Sequence, residues 1–194
     1  MNTDYLVLVN GDYALPEGYE NTVEIITATN CAGSAYGVEK KTYEAFLKLR
    51  QELLENDGIQ TELISGHRTI EAQIGSFNNY LNKFGLEYAN KYVAKPGHSE
   101  HHTGLAIDVG IVQEGRIYYT IEDLLSVDHL FHIVHKKLPK YGFILRYPAD
   151  KKAETGIGYE PWHFRYIDSP VIAQEITEKN ISFEEYWDIR RNRA

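Results

Sequence analysis

At 194 residues, 43% of them hydrophobic and 25% charged, the chain has the size and composition of one globular domain able to bury a core without disulfide staples, and disordered, collagen-like and coiled-coil architectures are excluded. Its formal net charge of −8, from 20 Lys+Arg against 28 Asp+Glu, comes with no basic run beyond pairs and the terminal Arg190, Arg191, Arg193 group, which argues against nucleic acid as a partner. The one cysteine, Cys31, rules out an internal disulfide framework, and no apolar stretch approaches the roughly 18–20 residues of a transmembrane segment.

The N-terminus lacks a basic region followed by a signal-length apolar core. As it stands the sequence is expected in the cytoplasm, or outside it if an export segment has been removed. Residues 5–9 form an apolar run expected as a short strand, followed by turn-rich sequence and by β-branched residues over 22–27. The pattern turns helical over 38–56, where Thr42, Ala45, Phe46, Leu49 and Leu53 share a face and Gly58 stands just past the end. A brief strand over 61–64 runs into Ser65-Gly66-His67-Arg68. A second helix follows, with Ile70, Ile74, Phe77, Leu81 and Phe84 at helical spacing before Gly85, and 86–94 can continue as a short helix. Residues 106–111 read as a strand entering a turn at Glu114-Gly115, and a third helix covers 126–138. Strands at 143–147 and 162–167 flank a Gly-rich hairpin or loop at 155–158. Two short helices close the chain, over 171–178 and from Ser182, where Ser182-Phe183-Glu184-Glu185 reads as a capping box. Helices and strands mix without βαβ regularity, and neither repeat nor linker divides the chain. The prediction is an α+β fold, a single compact domain over 1–194.

Eight histidines make metal binding the first chemistry to weigh. The densest group, His98, His101 and His102, leads into a strand that carries Asp108 between Ile107 and Val109. A carboxylate among apolar neighbours on a partly buried strand costs several kcal/mol unless a cation compensates it. A salt bridge or a turn cap would serve, and so would a metal ion. In a second segment, Tyr159-Glu160-Pro161-Trp162-His163, an imidazole follows a glutamate by three positions among bulky aromatic residues. Catalytic zinc usually takes three protein ligands and leaves a position for water, whose proton a nearby carboxylate accepts. His101, Asp108 and His163 would supply two imidazoles and one carboxylate, with Glu160 as the natural base, although spacing alone leaves open which of the three clustered imidazoles binds. His129, His132 and His135 share a helix face with no accompanying carboxylate in a strand or turn, and are read as ordinary surface or half-buried residues. Trp162 is expected as a packing wall beside His163. Arg68 stands where a strand hands over to a helix, and a planar guanidinium suits recognition of a free peptide carboxylate.

With both segments in view, the sequence resembles the VanY/VanXY family of zinc D-alanyl-D-alanine carboxypeptidases and dipeptidases, which is grouped with the LD-carboxypeptidases of peptidoglycan metabolism. The pattern S-x-H-x-x-G-x-A-x-D is met by Ser99, His101, Gly104, Ala106 and Asp108, and E-x-W-H by Glu160, Trp162 and His163. The S-G-Y-R-[ST] element with a following Gln is met by Ser65, Gly66, Arg68, Thr69 and Gln73, with His67 in place of the family tyrosine, and residues 141–148 also look like family sequence. The likeness covers about residues 61–167. It implies a small antiparallel sheet carrying one catalytic zinc ion and flanked by helices, with His101, Asp108 and His163 as ligands and Glu160 as base and proton shuttle. It further implies that Arg68 steadies the oxyanion or scissile carbonyl, and that Gln73 and Ser99 help position the substrate.

The expected activity is removal of the C-terminal D-Ala from peptidoglycan stem peptides or their precursors. Within the class the alternatives are a D-Ala-D-Ala dipeptidase, a bifunctional VanXY-type enzyme or an LD-carboxypeptidase. A different class, a zinc-stabilised cell-wall binding module without turnover, fits less well, because structural zinc normally closes with four protein ligands, often cysteines.

Overall fold

The computed structural model describes residues 3–87, 89 and 93–192. In chain order they form β1 (Ile25–Thr29), β2 (Ala35–Glu39), α1 (Lys40–Asp57), β3 (Thr61–Ser65), α2 (Ile70–Phe84), β4 (Ala106–Gln113), β5 (Arg116–Tyr118), α3 (Ile121–Ser126), α4 (Asp128–Lys137), β6 (Phe143–Leu145), α5 (Lys152–Thr155), β7 (His163–Tyr166), α6 (Pro170–Glu178) and α7 (Phe183–Arg191). Short 3-10 turns lie between them, one at Glu100–Thr103 just ahead of β4.

β4 is the axis of the sheet. It pairs antiparallel with β3 along one edge, where Ser65 stands opposite Asp108. Along the other edge it pairs with β7, where His163 stands opposite Asp108, and further on with β5. β6 completes the order β3-β4-β7-β6, and β1 and β2 form a separate hairpin. A strand covered on both edges and both faces reads as a nearly unbroken apolar run. Ile107, Val109 and Ile111 are accordingly buried, and they pack in one core with Phe46, Leu49 and Leu53 of α1 and Phe131 and Val134 of α4. The buried residues of α1 are the five that its periodicity marks out, and Gly58 ends the helix in the left-handed region. The fold is α+β, as the element pattern predicts, and among the described residues no helix is long and apolar enough to cross a membrane.

Two expectations change. Residues 5–9 form no strand. Val7, Leu8 and Val9 are buried, but the carbonyls of Tyr5 and Val7 accept hydrogen bonds from Arg165 Nη2 at 3.1 and 2.7 Å, so a side chain takes the place of a strand partner. α2 has the predicted bounds, yet its apolar residues are not its inward face. Ile70, Ile74 and Phe84 are exposed, and the residue the helix buries is Gln73, whose carboxamide finds polar partners inside. The loop expected at 155–158 is present over 156–158, with Thr155 closing the one-turn helix α5 ahead of its Gly156 cap. The short elements β2, β5 and α3 are additional to the expected ones. Of the helix expected over 86–94, Leu86, Glu87 and Ala89 are helical, and 88 and 90–92 lie outside the described residues.

Two glycines fit the chain around the later site. Gly104 ends the 3-10 turn in the left-handed region, at φ 73°, and so turns the chain directly into β4. Gly66 lets β2 pass close by: a Cβ there would lie 2.2 Å from the carbonyl oxygen of Gly37. Gly66→Ala is expected to destabilise the protein by about 2–4 kcal/mol, since backbone rather than a pliable side chain must move. Urea unfolding measures this, and an unchanged midpoint would show that the β2 approach is not tight.

Candidate active site

The β4–β7 register brings Asp108 beside His163, and the turn at Glu100–Thr103 returns His101 to the same place. Asp108 Oδ2 lies 3.3 Å from His101 Nε2, and Oδ1 lies 2.9 Å from His163 Nδ1. The two rings are nearly perpendicular, with centroids 5.0 Å apart. Among the described residues these three form the group whose donor atoms all fall within 4.8 Å of one another. The His101 ring is oriented by its other nitrogen, since Nδ1 donates to Gly66 O at 2.8 Å and leaves Nε2 for the site. Asp108 Oδ1 is buried and makes no hydrogen bond of its own. An acceptor left bare between two imidazoles fits a divalent cation, and two nitrogens plus one carboxylate oxygen are a donor set of catalytic zinc.

Glu160 begins the turn that ends at His163, whose N–H donates to Glu160 O at 3.2 Å. The Glu160 carboxylate therefore folds back over the ring, with Oε2 3.8 Å from His163 Nδ1 and one face toward the cleft. Burial raises its pKa to about 7, with His163 opposing and Asp108 adding to the rise. That is the range in which a carboxylate both accepts and returns a proton near neutral pH. Burial acts on Asp108 in the same direction, but the two imidazoles outweigh it and hold that carboxyl well below the ordinary range. For His163, burial disfavours the charged ring, and the nearby carboxylates of Asp108, Glu100 and Glu160 overcome this to bring its pKa to about 10.

The remaining histidines lie outside this group. His102 donates from Nδ1 to Arg68 O at 2.6 Å and accepts from Gly97 N at Nε2. His98 Nδ1 bonds Asn10 O at 2.8 Å. His129 is exposed, and His132 is an exposed partner of Asp128. His135 is half-buried, and its Nε2 donates at 2.8 Å to the carbonyl of Pro161, inside the turn from Glu160 to His163. Burial lowers its pKa to about 4, so this ring stays neutral and serves as a fixed prop.

A cleft of about 1600 Å³ opens over the site, with Arg68, Ser99, Tyr147, Glu160 and Trp162 on its walls. Arg68 Nη1 donates to Gln73 Oε1 at 2.9 Å, and Gln73 Nε2 donates to Ala94 O at 2.6 Å. Gln73 is fully buried, so it reaches the cleft only through Arg68. His67, at the place of the family tyrosine, is half-buried against β2 and does not line the cleft. Trp162 is buried in the main core, as expected of a packing wall. Sequence reasoning missed Glu100, Tyr147 and His135. Glu100 sits at a variable position of the S-x-H pattern, Tyr147 lies within the family-like stretch 141–148 without a role attached to it, and His135 lies on a helix remote in sequence from what it supports.

A family model for VanY, D-alanyl-D-alanine carboxypeptidase, matches residues 36–169. The bifunctional D-Ala-D-Ala dipeptidase and D-Ala-D-Ala carboxypeptidase VanXYC of Enterococcus gallinarum is 40% identical over 143 residues, covering 71% of this chain and 73% of that one. Among solved structures, a mutant of the vancomycin resistance D,D-pentapeptidase VanY from a VanB-type cassette, in complex with Zn(II), matches with a TM-score of 0.74 at 26% identity over 94% of this chain and 98% of that one. The LdcB LD-carboxypeptidase matches with a TM-score of 0.77 at 32% identity, over 95% of this chain and 86% of that one. Fold, donor set and likeness together define a zinc metallopeptidase. The chain belongs to the VanY family of D-alanyl-D-alanine carboxypeptidases.

The prop beneath the Glu160 turn is testable. His135→Ala removes a half-buried hydrogen bond and is expected to lower stability by about 1–3 kcal/mol. Thermal unfolding measures it, and an unchanged transition would show that the turn holds itself.

Proposed function

We propose that the protein removes the terminal D-Ala from peptidoglycan stem peptides or their precursors, with His101, Asp108 and His163 holding the zinc and Glu160 as general base. The observation that carries the choice of an extended peptide is the cleft, whose volume of about 1600 Å³ exceeds the roughly 300–1,000 Å³ that encloses an ordinary small ligand. A site built for a free dipeptide alone would close tightly around two alanines. The class of substrate agrees with the relatives: VanXYC is named for dipeptidase and carboxypeptidase activity, VanY as a pentapeptidase and LdcB as an LD-carboxypeptidase.

Zinc, when bound, supplies Lewis acidity at the scissile carbonyl and makes the attacking water more acidic. Glu160 takes the proton from that water as its oxygen bonds to the carbonyl carbon. It then delivers the proton to the amide nitrogen as the C–N bond breaks, so that D-Ala leaves as a neutral amine. A carboxyl raised by burial toward about 7 suits both transfers. Arg68 has one guanidinium nitrogen tied to Gln73, which fixes the plane of the fork and leaves its other donors for an oxygen of the substrate. Gln73 acts by holding Arg68, and Ser99, on the cleft wall beside His101, helps to seat the peptide.

Alanine release from a pentapeptide, a tetrapeptide and D-Ala-D-Ala, compared on the zinc-loaded protein, tests the substrate. The pentapeptide is expected to have the highest kcat/KM. A preference for the tetrapeptide would make the protein an LD-carboxypeptidase, and a preference for the dipeptide would overturn the reading of the cleft. Glu160→Gln is expected to lower kcat roughly 10²- to 10⁴-fold while zinc content stays stoichiometric. Wild-type turnover in that variant would remove Glu160 from the mechanism.

A further inference from the structure

Next to Nε2 of His163, at the floor of the cleft, stands a carboxylate that neither the motifs nor the proposed mechanism uses. Glu100 is fully buried. Its Oε1 accepts from Arg146 Nε at 2.7 Å and from Arg165 Nη1 at 2.9 Å. Its Oε2 has no hydrogen bond and lies 3.5 Å from His163 Nε2, a buried nitrogen that also has none. Two buried polar atoms without other partners therefore face each other.

The carboxylate has little freedom to turn away. Arg146 is held on its far side by Glu184 of α7, with Nη1–Oε2 at 2.8 Å and Nη2–Oε1 at 2.5 Å. Arg165 is held by the carbonyls of Tyr5, Val7 and Tyr166. Two guanidinium groups grip one oxygen and leave the other aimed at the imidazole. The ring of His163 is further confined by Tyr147, whose centroid lies 4.7 Å from its own.

We infer that Glu100 is a positioning residue for the metal-holding imidazole of His163. It accepts the Nε2–H, thereby fixing the tautomer that presents a bare Nδ1 beside Asp108. An imidazole that binds a metal through one nitrogen is oriented and made more basic when a carboxylate accepts from the other. The inference rests on the proposed reading of His163 as a ligand.

A carboxylate offers two acceptor oxygens where a carboxamide offers one. In Glu100→Gln one side must lose its acceptor, either the arginines or His163. Zinc affinity of that variant, measured by competition with a chromophoric chelator, is expected to be weaker roughly 10- to 100-fold. Glu184→Gln loosens Arg146 without touching His163, and is expected to change zinc affinity less than threefold. Equal weakening in both variants would make Glu100 a structural residue only, and a folded Glu100→Gln that binds zinc like wild type would overturn the inference. Should that variant not fold, the unaltered protein still decides. Long-range ¹H–¹⁵N spectra of histidine-labelled protein, with and without zinc, are expected to show His163 protonated at Nε2 and ligating through Nδ1. Ligation through Nε2 would overturn the role of Glu100 alone, whereas a His163 signal indifferent to zinc would overturn the ligand assignment as well.

Discussion

The carboxylate of Asp108 is held in the middle of the sheet between two imidazoles, one 3.3 Å from one oxygen and the other 2.9 Å from its neighbour. Keeping an ionised group there costs several kcal/mol unless positive charge surrounds it, and the local architecture answers that demand. The pairing of β4 with β7 places His163 directly opposite. The left-handed turn at Gly104 brings His101 back from the preceding segment. The carbonyl of Gly66, a residue that β2 passes too closely to admit a Cβ, sets the angle of the His101 ring. A divalent cation at the centre would complete what the protein supplies only in part.

Next to this group lies a second set of buried charges, in which Glu100 and Glu184 face Arg146 and Arg165. Such networks add little net stability over well-packed apolar residues, but breaking one partner leaves an uncompensated charge. Their value here is geometric. Arg165 gathers the carbonyls of the N-terminal segment and Arg146 gathers α7. Both ends of the described chain thus close on the same face of the sheet as the site, since Arg165 stands two residues after His163 on β7. Residues 5–9, which pair with no strand, are held in place by the same charges that stand beside His163.

Relatives that share this frame carry names for different cleavages, of D,D-dipeptides, D,D-pentapeptides or LD-linked peptides. A common frame hosts differing specificity through the walls around the reacting centre rather than through the frame itself. In this chain those walls come from segments distant in sequence, around residues 30–36, 93–99, 115–121 and 152–160. They leave the cleft wide, with Arg68 fixed in it by Gln73.

Much of this was legible before any coordinates. The buried face of α1, the capping box at Ser182 and the bounds of α2 follow from spacing and end signals, because these are local properties of the chain. That His101, Asp108 and His163 come together, with Glu160 beside them, was implied by the family motifs, whereas spacing alone left open which of the clustered imidazoles takes part. The inward face of α2 was misread because Gln73 satisfies its carboxamide with Arg68 and Ala94, a pairing no period reveals. The strand expected at 5–9 failed because its carbonyls meet a guanidinium some 160 residues away in sequence. What the sequence alone determined, then, is which residue types are present to hold a metal and move a proton, and which segments coil into helices. Only the tertiary structure decided which nitrogen of each imidazole faces the site and which carboxylate stands beside it, because those choices depend on partners brought together by strand register and not by neighbourhood along the chain.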